Sequence, residues 1–168
     1  MSYKYEKFKY LNTVSNPTAQ TLTTTYQEIT GSKCEIKYSS SSINLMYKFT
    51  FYSCLPFSYT PGSQTVFFSH FKLQKSTDNF VSNIIDMTNY NFNFSGDTEE
   101  SGDPSNNDWY MKTLTAFFII DSFDSKYLRL MGRAYDSNED AVLHRPTIYD
   151  GLNTTSKYYA PNLKILEL

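Results

Sequence analysis

Apolar and polar residues alternate with a period of two along most of this chain, which is typical of half-buried β-strands. The clearest example is the segment 45–52, in which Leu45, Tyr47, Phe49 and Phe51 share one face. The same alternation predicts strands over 33–38, 65–74, 80–95, 109–120, 127–135 and 162–168. No window of 11 or more residues has a convincing 3.6-residue period. The pattern therefore predicts an all-β protein.

Three of these strands indicate which side chains face the core. The predicted core-facing residues are Cys34, Ile36 and Tyr38 in 33–38, Phe67, Phe71 and Leu73 in 65–74, and Leu128, Leu130 and Ala134 in 127–135. The opposite faces carry His70, Arg129 and Arg133. Such alternation is expected when only one face of a sheet is buried.

The segments between the strands predict turns. Four serines at 39–42 predict a hairpin loop between the strands 33–38 and 45–52. Over 80–87 a helical turn is an alternative, but β-branched and aromatic residues favour strands there. Eight or nine short strands separated by turns predict an antiparallel β-sandwich that is jelly-roll-like. We expect this single domain to span residues 21–168.

Residues 1–20 lie outside this pattern and are predicted to form an N-terminal arm. Alternating aromatic residues in the arm are the candidate docking contacts, namely Tyr3, Tyr5, Phe8 and Tyr10. The arm can add a strand to a neighbouring subunit. It can equally fold back on its own domain, and the sequence leaves both placements open.

Composition and charge exclude several classes of protein. The chain has 168 residues and a mass of 19.5 kDa, which allows one domain. Its aromatic content of 17% excludes a disordered chain. The net charge of −2 supplies no global field for nucleic acid. The longest apolar run, at 116–120, is far shorter than a membrane helix needs, and residues 1–12 predict no signal peptide.

Few residues offer catalytic chemistry. The histidines are His70 and His144, and the chain has no nucleophile elbow, phosphate-binding glycine loop or zinc-protease motif. We therefore predict a protein that is not an enzyme and has no cofactor. Cys34 and Cys54 are predicted to be reduced or buried thiols, because two cysteines make no disulfide framework.

Two acidic segments could attract a cation. Residues 136–140 have the oxygen side chains of a calcium loop, but Ala141 and Thr147 replace its glycine and its glutamate. The acidic segment 96–108 is more typical of a solubilising loop than of a cation site. We predict no metal at either segment.

Three segments near the C-terminus carry a resemblance to a known group of proteins. They are Tyr127 to Tyr135 (YLRLMGRAY), Leu143 to Gly151 (LHRPTIYDG) and Ala160 to Leu168 (APNLKILEL). In this order they resemble the β-sandwich fibre and head decoration proteins of tailed phages and large aquatic viruses. The resemblance implies a homotrimer and a structural turn formed by His144, Tyr149, Asp150 and Gly151.

These observations give two functional hypotheses. The first is a non-enzymatic virion structural protein, made in the host cytoplasm, that serves as a trimeric capsid decoration or fibre protein. Its partners are copies of itself and a major capsid or tail protein. The second is a carbohydrate-binding or receptor-binding module, in which Tyr59, Tyr158 and Tyr159 contact a glycan of the host surface. Exposed aromatic residues along a strand face favour assembly, whereas a cluster at the loop ends favours sugar binding.

Overall fold

The computed structural model describes residues 7–13, 20–36, 42–54, 66–97, 109–121, 126–135, 142–144, 147–148, 155–156 and 160–168. This part of the chain holds thirteen β-strands and no helix. The strands are β1 (Lys7–Thr13), β2 (Gln20–Thr21), β3 (Gln27–Glu28), β4 (Cys34–Glu35), β5 (Ser42–Cys54), β6 (Val66–Ser76), β7 (Ile84–Asp97), β8 (Trp109–Asp121), β9 (Tyr127–Ala134), β10 (Val142–Leu143), β11 (Thr147–Ile148), β12 (Thr155–Ser156) and β13 (Asn162–Glu167).

The first sheet has six strands and is built on β5. Along one edge, β5 pairs over its whole length with β8. Along its other edge, β5 pairs with β13 and then with β10. The sheet continues from β13 to β1 and from β10 to β2, and all these pairings are antiparallel.

The second sheet has five strands, with β6 between β7 and β9. The outer edge of β9 pairs with two short strands, β3 and β4. A separate two-stranded sheet consists of β11 and β12. All regular elements of the described residues are β-strands, and all their pairings are antiparallel, which confirms the predicted all-β class.

The inner faces of the two large sheets form one apolar core. The first sheet contributes Tyr47 and Phe51, which are fully buried, and the second contributes Phe71. The rings of Phe51 and Phe71 lie 5.4 Å apart across the core. The buried Tyr47 hydroxyl donates a hydrogen bond of 2.8 Å to the carbonyl of Ser32, which satisfies its polar atom. This arrangement is consistent with a β-sandwich.

The predicted core-facing residues lie inside wherever the structure describes their side chains. Those found buried are Cys34, Ile36, Leu45, Tyr47, Phe49, Phe51, Phe71, Leu73, Leu128, Leu130 and Ala134. The strand interpretation of 80–95 is confirmed from Ile84 onward, and the preceding residues 77–83 form a turn. Tyr38 and the side chain of Phe67 lie outside the described residues.

The predicted hairpin around residues 39–42 is wrong. β4 pairs with β9 in the second sheet, whereas β5 pairs with β8, β13 and β10 in the first. The chain therefore passes from one sheet to the other between β4 and β5. The physical reason is that β4 is only two residues long and finds its ladder partner on the edge of β9.

The N-terminal segment includes a regular strand. β1 pairs antiparallel with β13 of the same chain, and Lys7 lies opposite Glu167. The sequence left open whether the arm adds a strand to a neighbouring subunit or folds back on its own domain. The pairing of β1 with β13 corresponds to the second placement. Exchange of β1 onto a neighbouring subunit stays a prediction. Tyr3 and Tyr5 lie outside the described residues, and for Phe8 and Tyr10 only the backbone is described.

Candidate functional site

The outer face of the second sheet carries a group of cationic and aromatic side chains. Alternation along β9 buries Leu128 and Leu130 and leaves Arg129 and Arg133 on the outside. Pairing with β6 then places Arg133 opposite His70. We call the following set the cation–aromatic face: Tyr26, His70, Lys72, Phe80, Arg129, Arg133 and Tyr135.

A chain of hydrogen bonds crosses this face from β3 to β7. Glu28 accepts from Arg129 Nη1 at 3.1 Å, and Arg129 Nε donates to Gln74 Oε1 at 2.9 Å. Gln74 Nε2 donates to Asp86 Oδ1 at 2.6 Å. The other Asp86 oxygen accepts from Lys72 Nζ at 2.7 Å. Because the links involve four strands, the network fixes the side chains relative to one another.

The charge of Asp86 is stabilised within this network. Partial burial opposes ionisation of its carboxyl group, but hydrogen bonds from Lys72 and Gln74 outweigh it and lower the pKa of Asp86. Two cations of the face have carboxylate partners: Lys72 pairs with Asp86, and Arg129 pairs with Glu28.

Aromatic rings lie against the cations of the same face. Lys72 Nζ is 4.5 Å and Arg133 Cζ is 5.4 Å from the centre of the Tyr26 ring. Arg129 Cζ is 4.1 Å from the centre of the Phe80 ring. These distances are those of cation–π contacts, which are worth about 0.5–1 kcal/mol at exposed sites.

A tight turn delivers Phe80 to Arg129. The carboxylate of Asp78 accepts hydrogen bonds from the hydroxyls of Ser82 and Ser76 and from the backbone N–H groups of residues 81–83. These bonds hold the pKa of Asp78 well below its usual range. Asn79 and Phe80 have φ angles of 62° and 66°, a left-handed conformation that the turn stabilises.

His70 and Tyr135 extend the face beyond Arg133. Their ring centres are 5.8 Å apart, and 59% of Tyr135 is exposed. Strand pairing places Arg133 opposite His70, whose ring contacts Tyr135, so His70 links these two side chains on the face. The sequence identified the outward arginines by alternation. It missed Tyr26, Phe80 and Tyr135 as their neighbours, because long-range pairing and a turn bring them there.

The outer face of the first sheet is different, since it exposes apolar side chains. Met111, Phe117 and Ile119 alternate on β8 and are 62%, 58% and 66% exposed. Strand pairing places Met46 opposite Phe117 and Leu166 opposite Met46. We call these five residues the apolar row, in which Met46 is half-buried and Leu166 is buried. Ile119 also lines an open groove of about 340 Å³, bounded by Asn44, Leu45, Phe117, Phe118 and Leu168.

His144 is fully buried and has a φ of 67°. Its backbone N–H donates to the carbonyl of Tyr52 at 2.8 Å, and its ring lies edge-on to Phe51. Neither ring nitrogen has a hydrogen-bond partner among the described residues. Burial lowers the pKa of His144 to about 4. The other members of its predicted turn, Tyr149, Asp150 and Gly151, lie outside the described residues.

The remaining candidate positions are described only in part. The predicted glycan contacts Tyr59, Tyr158 and Tyr159 lie outside the described residues, as do 98–108 and 136–141. Within the described ranges, no group of three histidine, cysteine or acidic residues could hold a metal ion. Cys34 is buried, which raises the pKa of its thiol to about 12. The same part of the chain has no helix long and apolar enough to span a membrane.

Comparison with known proteins assigns this chain to no family. No protein-family model matches this chain, and no curated protein matches it. The proposals below therefore rest on the sequence and the geometry of the two outer faces.

Proposed function

We propose that this chain is a non-enzymatic structural protein of a virion, with jelly-roll-like topology and eight or nine main strands. It assembles as a homotrimer that decorates a capsid or forms part of a fibre, against a major capsid or tail protein. The resemblance of the C-terminal segments supports the virion role. The observation that carries assembly is the apolar row, in which Met111, Phe117 and Ile119 expose large side chains along the face of β8.

Covering the exposed side chains of the apolar row is energetically favourable. Full burial of a large apolar side chain is worth about 1.5–3 kcal/mol, so three residues that are about 60% exposed each gain about 1–2 kcal/mol when covered. Aligned exposed apolar residues mark interaction surfaces more often than scattered ones do. The apolar row is therefore suited to the centre of an interface between subunits.

The geometry favours packing on the face of β8 over addition of a strand to its edge. The Tyr90 hydroxyl of β7 donates a hydrogen bond to the carbonyl of Phe117. The Tyr90 ring packs edge-on against Phe118, with ring centres 5.8 Å apart. Tyr90 therefore covers the β8 edge beside the apolar row, and a neighbouring subunit contacts the side chains.

The test is the solution mass, measured by light scattering on a sizing column. We expect about 58 kDa for the unmodified chain, three times the mass of 19.5 kDa. The double variant Phe117→Ser, Ile119→Thr should elute as a folded monomer. Val81→Ser is the matched control, because Val81 is 83% exposed but lies on the turn before β7. A monomeric unmodified chain, or a double variant that stays trimeric, would contradict the proposal.

The carbohydrate-binding hypothesis based on Tyr59, Tyr158 and Tyr159 stays a prediction. It is distinguished by Ala substitution of Tyr158 and Tyr159, which would remove glycan retention and leave the trimer mass unchanged.

A further inference from the structure

We propose that the cation–aromatic face binds a saccharide that bears a carboxylate, with Arg133 pairing the carboxylate and Tyr135 contacting the sugar ring. This site is on the second sheet and does not depend on the apolar row of the first. Three features of the face point to such a ligand: the pairing of its cations, the aromatic surface beside Arg133, and the poor fit of other ligands.

The first feature is that Arg133 differs from the other cations of the face. Lys72 and Arg129 have carboxylate partners at 2.7 Å and 3.1 Å. No ion pair among the described residues includes Arg133. Its only hydrogen bond within that part of the chain is a long one, 3.4 Å from Nη1 to the carbonyl of Ala134. With respect to the described residues, the guanidinium therefore keeps donors for an external carboxylate, which it can bind through two parallel hydrogen bonds.

The second feature is the aromatic surface beside this guanidinium. The Tyr26 ring lies 5.4 Å from Arg133 Cζ and limits where the guanidinium can move. Arg133 lies opposite His70 in the pairing of β6 with β9, and the His70 ring centre is 5.8 Å from that of Tyr135. The exposed Tyr135 ring and the charged donor therefore both lie beside His70, where one small ligand can reach them. A tyrosine offers a flat apolar face to the C–H groups of a sugar and a hydroxyl to its polar groups.

The third feature concerns the class of ligand. A nucleic-acid backbone would need a row of unpaired cations, whereas Lys72 and Arg129 are paired with Asp86 and Glu28, and only Lys33, 5.6 Å from the centre of the Phe80 ring, adds to Arg133 among the described residues here. A peptide that adds a strand would need a free sheet edge, whereas β9 pairs with β6 on one side and with β3 and β4 on the other. Among the described residues, Arg133 is a guanidinium without a carboxylate partner beside the exposed Tyr135 ring, which matches a ligand with one carboxylate per sugar ring.

The experiment measures binding of glucuronic acid, glucose and acetate to the full chain by saturation-transfer and titration NMR. We expect glucuronic acid to bind with a millimolar Kd, and glucose and acetate to bind at least about tenfold more weakly. For glucose that factor corresponds to the loss of the charge-assisted contact with Arg133, and for acetate to the loss of the sugar ring that contacts Tyr135. Saturation transfer should be strongest to the ring protons of the sugar.

Variants separate the two contacts. Arg133→Gln should weaken glucuronic acid at least about tenfold and leave the weak glucose signal unchanged. Tyr135→Ala should weaken both sugars but not acetate. Lys126→Gln is the matched control, since Lys126 is exposed at the opposite end of β9. Thermal unfolding establishes that each variant is folded.

Three results would overturn the proposal: no saturation transfer to glucuronic acid, equal affinity for acetate and glucuronic acid, or full binding by Arg133→Gln. The Phe117→Ser, Ile119→Thr variant should keep its glucuronic acid affinity, because the apolar row is on the other sheet. Loss of the trimer and loss of the saccharide site are therefore distinguishable.

Discussion

Stability of this protein should fall as the pH is lowered from 8 to 5, and His144 should be a main cause. Its ring is fully buried, and desolvation lowers its pKa from 6.5 to about 4. In the folded protein the ring is therefore neutral down to about pH 4. In the unfolded chain it takes up a proton below about pH 6.5. The resulting stability is fully present above pH 6.5 and is lost as the pH falls towards 4.

The magnitude follows from these two pKa values. At pH 8 neither state binds a proton at this ring to any extent. At pH 5 the unfolded ring is almost fully protonated and the folded ring is largely neutral. Proton linkage between pKa values of 6.5 and about 4 then favours the unfolded chain by about 2 kcal/mol at pH 5. For a domain with a total stability of roughly 5–15 kcal/mol, this is a measurable fraction.

Urea unfolding at a series of pH values measures this effect against a variant that cannot titrate. His144→Asn is suitable because asparagine adopts positive φ more readily than most residues, and the φ here is 67°. The carboxylates and His70 are common to both proteins, so their contributions cancel in the difference. We expect the stability advantage of the unmodified chain over His144→Asn to shrink by about 2 kcal/mol between pH 8 and pH 5.

A direct titration of the His144 ring protons by NMR gives a second measurement that does not depend on the variant's stability. A midpoint near 4 is expected in the folded protein. Parallel stability profiles for the two proteins, or a ring midpoint near 6.5, would refute the reasoning.

Two further predictions concern the core. Gly132→Ala should destabilise the fold by about 1–3 kcal/mol in urea unfolding. The reason is that an added Cβ would lie 2.7 Å from Ile29 Cδ1 and 2.8 Å from Phe71 Cε1. Unchanged stability would show that these two side chains move aside freely. The second prediction concerns Cys34 in a Cys54→Ser background. At pH 8 its thiol should react with a disulfide reagent at least about 100-fold more slowly in the folded than in the urea-unfolded protein, because burial raises the pKa of Cys34 to about 12. Fast labelling of the folded chain would contradict this.

Alternation in the sequence was sufficient to predict the faces of the long strands. The side chains from Leu45 to Phe51 alternate so regularly that only one register buries them, and the structure has that register. The alternation over 33–38 could not predict the partner of β4, since alternation shows which face of a segment is buried but not which strand it pairs with. The hairpin expected at 39–42 is wrong for that reason.

The candidate site was predictable only in part, for a related reason. Alternation placed Arg129 and Arg133 on the outside of β9, and this is confirmed. Tyr26 reaches them from the segment before β3, and Phe80 reaches them from the Asp78 turn. A single sequence does not encode such contacts as a local pattern.

The apolar row and the cation–aromatic face lie on the outer sides of the two sheets, with the core between them. Covering the apolar row of the first sheet leaves the cation–aromatic face of the second directed away from the interface. A trimer built through the apolar row would therefore present three copies of the saccharide site, each with a weak affinity of its own. A ligand with several carboxylate-bearing sugars can then gain affinity by occupying more than one site, without any additional contact. If both proposals hold, assembly would supply the avidity that the half-buried guanidinium of a single Arg133 cannot.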